Sequence, residues 1–309
     1  MSTVSVIMAT YNGEKYVGEQ IDSILASSYQ DFELYIYDDG SKDNTMTILL
    51  KYEREFPGKI HVKQNESNQG VAINFLHAIT LTTTEYIMLC DQDDVWKPKK
   101  IELTLKKMKN IELQRNRNYP LAVFTDAVVV DKDLKVINKS FFYSAHLNPM
   151  KIDLAHLLME NKLIGCTVMV NAALRKILQS NHLPKHARFH DWWIALIASS
   201  IGKVGYVNEG TLLYRQHGGN VVGDTGFLAY LKNRITSLKM QKSALRSLYY
   251  QAEEFLAEYG DMLTEENRNI VYQFAKLQHC NFLRRRILIL RYGYLKTGFI
   301  RNVGLMFLA

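Results

Sequence analysis

Tyr86-Ile-Met-Leu-Cys-Asp-Gln-Asp-Asp-Val-Trp96 joins a five-residue apolar run to three carboxylates within four positions. A run of that length without polar alternation fits a central parallel strand covered on both faces. Open α/β sheets bind ligands at the carboxyl ends of their strands, so Asp91, Asp93 and Asp94 stand where a site is expected. Carboxylates packed this closely repel one another unless something positive shares the site, and hard oxygen donors select Mg²⁺ or Mn²⁺. A divalent ion held against a diphosphate answers that requirement. The alternative is a solvated acidic turn opening the next helix, with Pro98 in its first turn.

Upstream, the same pattern repeats three times. Residues 3–9 read as a strand, followed by the loop Thr10-Tyr11-Asn12-Gly13 and a helix with Val17, Ile21, Ile24 and Leu25 on its apolar face. Residues 32–37 form the second strand, ending at Asp38-Asp39-Gly40-Ser41 before a helix carrying Ile48, Leu49 and Tyr52. Residues 60–64 form the third, leading through Asn68-Gln69-Gly70 into a helix with Phe75, Leu76 and Ile79 inside. Four βα units predict a parallel sheet with right-handed crossovers and all four loops on one edge, a place for a nucleotide. No G-x-G-x-x-G follows the first strand, which disfavours dinucleotide chemistry.

Beyond a lysine-rich helix over residues 98–109, the pattern turns mixed and partly antiparallel. Strands are expected over 121–124, 127–130, 135–137 and 162–170, with Asn171 capping a helix through Leu178. His190-Asp191-Trp192-Trp193 opens a further helix, strands follow near 204–207 and 211–215, and Tyr214-Arg-Gln-His-Gly-Gly-Asn220 has enough glycine to fold over a ligand. The resulting fold class is α/β, a Rossmann-like, mainly parallel central sheet with a small antiparallel part. The expected organisation is one domain over residues 1–223 and a helical C-terminal region over 224–309.

Charge separates the same two parts. Of 38 Lys/Arg and 31 Asp/Glu in 309 residues, the segment 224–309 holds 13 and 7, so most of the net +7 belongs to the tail. Nucleic-acid binding by the whole chain is therefore disfavoured, and the tail is expected to meet a membrane surface or form a homodimer contact. Six Arg/Lys and no acid within 282–301 strengthen the membrane alternative. Cys90, Cys166 and Cys280 have neither disulfide nor zinc spacing, and the chain starts without a basic, apolar leader, so a cytoplasmic protein, peripheral on the inner membrane face, is expected.

The order and spacing of Val4-Ser-Val-Ile-Met-Ala-Thr-Tyr-Asn12, Asp38-Asp39-Gly-Ser41, Asn68-Gln-Gly70 and Asp91-Gln-Asp-Asp94 resemble family-2 inverting glycosyltransferases of the GT-A fold. His190-Asp191-Trp192 and Tyr214-Arg-Gln-His217 extend the resemblance over roughly residues 1–220, and the forms of the last motifs are most similar to bacterial rhamnosyltransferases. The resemblance implies a nucleotide-sugar donor, best matched by dTDP-L-rhamnose, and a saccharide acceptor of a cell-wall or surface polysaccharide, lipid-linked. It implies that Thr10, Tyr11, Asn12, Asp39, Asn68 and Asp91 hold the nucleotide, and that Asp93, Asp94 and His217 hold Mn²⁺ or Mg²⁺. It also implies that Asp191 is the general base, with Trp192 and Trp193 meeting the acceptor. A UDP-hexose or UDP-N-acetylhexosamine transferase, or a non-catalytic carbohydrate-binding scaffold, stands as the alternative. Each residue has a plainer role to set beside these: Asp191 as a helix cap, Asp38 as a turn former, and one of the two tryptophans as core, since neighbours on a helix face different ways.

Overall fold

The computed structural model describes residues 3–115, 118–217 and 238–309. The chain opens with β1 (Val4–Thr10), α1 (Val17–Leu25), β2 (Phe32–Asp38), α2 (Thr45–Glu55), β3 (Ile60–Gln64), α3 (Val71–Leu81) and β4 (Tyr86–Cys90). These elements match the expected βα units. Val17, Ile21 and Ile24 recur at helical spacing and are buried, fixing α1 against the sheet. All five residues of β4 are buried, as the unbroken apolar run requires.

A two-residue strand, β5 (Val95–Trp96), precedes α4 (Lys100–Gln114). Then follow β6 (Leu121–Val130), β7 (Val136–Asn138), the short helices α5 (Phe141–Ser144) and α6 (Leu154–Met159), β8 (Met169–Asn171), α7 (Ala172–Gln179), α8 (His190–Ile201) and β9 (Lys203–Arg215). The sheet runs β3-β2-β1-β4-β8-β6-β9-β5, with β7 on β6. From β3 to β4 it is parallel; β8 then enters antiparallel to both β4 and β6, while β6 and β9 pair in parallel. The four parallel strands therefore deliver their loops to one edge, and β5 and β9 bring Asp94 and Arg215 together beside it.

Two pairs of expected strands fuse. Residues 121–130 are one strand, with register shifts against β9 at Thr125–Asp126 and Asp126–Val128 where a break was read. Asp126 turns there to accept the backbone N–H of Phe141 at 3.0 Å and that of Ala127 at 2.8 Å. Residues 203–215 are likewise continuous. The strand expected over 162–170 is not formed: only Met169–Asn171 pair, and the preceding residues make a loop with one 3-10 turn, Gly165–Thr167. Asn171 does cap its helix, accepting from the Leu174 N–H at 3.1 Å.

From Leu238 onward the described chain is helical: α9 (Leu238–Tyr259), α10 (Glu265–Ala275), α11 (Phe282–Tyr292) and α12 (Phe299–Leu308). This region packs on α8, where Trp193 lies with its ring 5.4 Å from Phe255 and 6.0 Å from Tyr259. Trp193 is completely buried, so its expected acceptor contact is corrected here: its indole is core between the sheet domain and the tail. The expected boundary at 223/224 and residues 218–220 of the glycine loop lie outside the described residues. Among the described residues no helix is long and apolar enough to cross a membrane.

Candidate active site

The carboxyl ends of β1, β2 and β4 open into a cleft of about 620 Å³. Of the residues singled out in the sequence, Thr10, Tyr11, Asp39, Asn68, Asp91, Asp93, Asp191 and Trp192 line it; Asn12, Asp94, Trp193 and His217 do not. Its far wall comes from residues without a sequence motif, including Phe141, Leu147 and the loop Asn161–Gly165.

At the β1–β2 end, Asp38 is spent on structure. Fully buried, it accepts from the Gly40 and Ser41 N–H groups at 3.1 and 2.8 Å and from the Thr10 hydroxyl at 2.9 Å. That turn presents Asp39, whose carboxylate accepts the N–H groups of Gln69 and Gly70, each at 2.9 Å, and the Asn65 amide. Among the described residues Oδ2 has the Gly70 N–H as its hydrogen-bond donor, which leaves acceptor capacity facing the cleft. Asn12, at a positive φ of 50°, accepts from Lys42 N–H with its side chain and donates its backbone N–H to Ser41, so it knits the loop together beside the cleft.

Gln92 was not singled out, yet it joins the two motif loops: its Oε1 accepts from Tyr11 N–H at 2.9 Å and its Nε2 donates to Tyr11 C=O at 3.1 Å. The approach needs Gly13, since a Cβ there would sit 2.3 Å from Gln92 Oε1. A polar residue between Asp91 and Asp93 was the available signal.

The acidic cluster divides into two sets. Asp93 Oδ2 lies 2.8 Å from His217 Nε2, whose ring packs 5.0 Å from Tyr16. Asp94 is instead turned inward, 1% exposed, accepting from Arg215 N–H at 3.1 Å. Its ligand atom lies with those of Asp91 and Cys166, all within 4.8 Å of one another. The expected ligand set Asp93, Asp94 and His217 is therefore corrected in geometry: Asp91 and Asp94 converge, while Asp93 is held by His217. Arg215 fixes this arrangement, donating also to the carbonyls of Asp93 and Lys132 at 2.8 Å and pairing with Glu19.

Burial, then the neighbouring Asp94, Asp93 and Asp191 charges, pushes Asp91 well above the usual carboxylate range. Burial and then Asp93 raise Asp94 to about 7, against the pull of the Cys166 thiol and the Arg215 N–H. Beneath them Lys100 is wholly buried, its Nζ without a hydrogen-bond partner among the described residues and 4.9 Å from the Trp96 ring; burial pulls it down to about 8. The sequence places it within a lysine-rich helix, and nothing in a run of lysines marks the one that faces inward.

A divalent cation fits this donor set. Among the described residues Asp94 Oδ2 is buried without a hydrogen-bond partner, and a cation held by Asp91 and Asp94 would offset the burial and the neighbouring carboxylate charges that raise them. Burial pushes the Cys166 thiol far above its usual range, so the carboxylate oxygens would be the donors and a hard ion would suit them.

Across the cleft, Asp191 begins α8 and accepts the Trp192 N–H at 2.7 Å. Burial raises it to about 7, opposed by Trp192 N–H, the Asn161 side chain and Gly165 N–H. It is thus both an N-terminal helix acid and a cleft group. His190 stacks on Phe75 with centroids 4.1 Å apart, is held neutral by burial, which pulls it down to about 3, and has both ring nitrogens without hydrogen-bond partners among the described residues. Gly165 permits this packing, because a Cβ there would lie 2.6 Å from His190 Nε2. Trp192 donates to Leu157 C=O and keeps an edge on the cleft.

A sheet edge that gathers a nucleotide-sized cleft, a converging carboxylate pair and an opposed buried carboxylate defines a GT-A-like transferase fold. Residues 5–114 match the profile of Glycosyl transferase family 2. Among curated relatives, the dTDP-rhamnosyl transferase RfbG of Shigella flexneri is 26% identical over 228 residues, 70% of this chain and 73% of the relative. WfgD of Escherichia coli, a UDP-Glc:alpha-D-GlcNAc-diphosphoundecaprenol beta-1,3-glucosyltransferase, is 29% identical over 167 residues, covering 54% and 59%. The matches take in from 44% to 78% of the relatives' own lengths, and the two at the head of the ranking reach 66% and 44%. In structure, S. aureus TarS 1–349 in complex with UDP-GlcNAc aligns over 94% of this chain and 79% of its own, with TM-score 0.57 and 18% identity. The mannosyltransferase PcManGT from Pyrobaculum calidifontis in complex with GDP-Man and Mn²⁺ aligns over 99% and 84%, with TM-score 0.53 and 14% identity.

Proposed function

We propose that the chain is a metal-assisted inverting glycosyltransferase that moves a sugar from a nucleotide diphosphate to a hydroxyl of a polysaccharide acceptor. The observation that carries this reading is Asp191, a buried carboxyl raised to about 7, in one cleft with Asp39, Asp91 and Asp93. One-step inversion needs a base on the face opposite the leaving diphosphate, and a base matched to neutral pH serves best. Asp39, Thr10, Tyr11 and Asn68 would hold the nucleoside, with Asn12 bracing their loop. Asp91 and Asp94 would hold Mn²⁺ or Mg²⁺, whose chemistry is to stabilise charge on the departing diphosphate. His217 would act by orienting Asp93 toward that end. Trp192 would flank the acceptor.

The donor proposed is dTDP-L-rhamnose, supported by the resemblance of the Asp-Gln-Asp-Asp and Tyr-Arg-Gln-His forms and by RfbG. WfgD supports a UDP-hexose as the second reading and a lipid-linked acceptor in either case. The division proposed is a catalytic domain over residues 1–223 and a tail over 224–309. A panel of dTDP-, UDP- and GDP-sugars, titrated with Mn²⁺, Mg²⁺ or chelator, tests the proposal: selective binding of dTDP-rhamnose is expected, and it should weaken in chelator. Selection of a UDP-sugar removes the rhamnose assignment, and undiminished binding and transfer in chelator remove the metal.

A further inference from the structure

Residues 267–309 hold eight Lys/Arg and no Asp or Glu. Within them α11 buries Ile289 but turns Leu283, Ile287 and Leu290 outward, spaced four and three apart and hence on one face. Those three are 67%, 54% and 63% exposed. In α12, Leu305 is buried while Phe299, Ile300, Val303 and Phe307 face out, the two phenylalanines more than four-fifths exposed. At about 100° per residue, Arg284 and Arg291 lie on one flank of the α11 stripe and Arg286 on the other, its guanidinium 3.3 Å from the Phe282 ring centroid. The exposed Tyr143 and Met150 belong to the segment on which the tail is fastened: Arg301 donates to Ala145 C=O at 2.6 Å and Asn148 N–H to Thr297 Oγ1 at 3.3 Å.

Exposed large apolar side chains concentrated in this way mark an interaction surface. Cations flanking an apolar stripe suit a lipid interface, with guanidinium groups at the phosphates and apolar groups in the acyl boundary. A two-fold contact between copies would set this cationic face against itself, with no acid in residues 267–309 to answer it. We infer that α11 and α12 seat the protein on an anionic membrane surface through Leu283, Ile287, Leu290, Phe299, Ile300 and Phe307.

The seat is tied to the cleft. Lys162, in the cleft wall, donates to Thr297 Oγ1 at 2.9 Å and pairs with Glu160, which itself accepts from Thr297 N–H at 2.7 Å and from Arg301 at 3.1 Å. The turn before α12 is thereby fixed to the wall that also bears Asn161 and Gly165. If the transfer reading above is right, a lipid-linked acceptor would enter from this side; the membrane seat itself does not depend on that reading.

Flotation of the full chain with phosphatidylcholine vesicles, with and without phosphatidylglycerol, tests the inference. Recovery with the anionic vesicles is expected. The triple variant Leu283→Ser, Ile287→Ser, Leu290→Ser should partition at least about a hundredfold more weakly, since each apolar side chain kept from the acyl boundary costs about tenfold. Its circular dichroism and nucleotide-sugar binding in solution should be unchanged, because the three side chains are exposed. Equal flotation of variant and parent, or no flotation of the parent, overturns the membrane seat. A lipid-free dimer in sedimentation that the variant loses also overturns it, assigning the face to a second copy; none of these results bears on donor binding.

Discussion

Replacing Asp191 with Asn separates its chemical part from its place at the start of α8. The Asn side-chain oxygen can keep the Trp192 N–H bond, 2.7 Å in the native chain, so the helix start and the cleft should survive. What is lost is the capacity to accept a proton, expected to lower turnover by roughly 10² to 10⁴. The pH profile sharpens the test. Burial raises Asp191 from the ordinary 3.8 to about 7, a cost of ionisation of roughly 4 kcal/mol at about 1.4 kcal/mol per unit. If Asp191 is the base, the ionised form is the active one, and a raised pKa means that ionisation is completed only above neutrality. Turnover at saturating donor and acceptor should therefore climb about tenfold per unit below pH 7 and level off above it. Initial rates in non-chelating buffers, with donor affinity measured separately at each pH, isolate that limb from metal binding. A flat profile from about pH 5 to 9, or a variant within tenfold of the parent, would refute Asp191 as the base.

Asp94→Asn removes the buried charge of the Asp91–Asp94 pair, so in chelator the variant should melt higher than the parent, while the rise in melting temperature that Mn²⁺ is expected to give the parent should largely vanish. Unchanged stabilisation by Mn²⁺ would move the ion elsewhere. Trp193→Ala should destabilise by about 3 to 5 kcal/mol in denaturant titration, as expected for a buried aromatic. Trp192→Ala should cost less stability and raise the acceptor KM; equal stability losses would contradict the placement of Trp193 between α8 and the tail.

How far the sequence reveals this molecule depends on whether a feature is local. β4, β3 and the helix beginning after Asn171 are legible to the residue, because an unbroken apolar run and a capping side chain act within their own segment. Strand ends and motif spacing single out the carboxylates, Asp39 and Asp191, and of these Asp39, Asp91, Asp93 and Asp191 line one cleft. The far wall of the cleft is not. Phe141, Leu147 and Asn161–Gly165 meet there through β6 and the short β8, whose pairing with strands far away in the chain leaves no periodic trace. The expected strand over 162–170 failed for that reason: the apolar residues are buried in a loop wall, and burial alone does not distinguish a wall from a strand.

The metal assignment shows the same limit within a single motif. Spacing places Asp93 and Asp94 together, but a peptide turn sends adjacent side chains apart, and partners from elsewhere decide which goes where. His217 and the Arg215 backbone, both arriving with β9, draw Asp93 toward the cleft and Asp94 into the protein, where Lys100 and Cys166 lie beneath it. Burial and then Asp93 make the inward carboxylate costly to ionise, and a cation held by Asp91 and Asp94 would offset that cost. Arg215 connects that choice to the rest of the site: the same side chain that holds the Asp93 carbonyl also reaches the Lys132 carbonyl and Glu19 on α1. The geometry of the two aspartates is therefore set by residues more than a hundred positions away, and Arg215, which the sequence offered only as a companion to His217, is what fixes it.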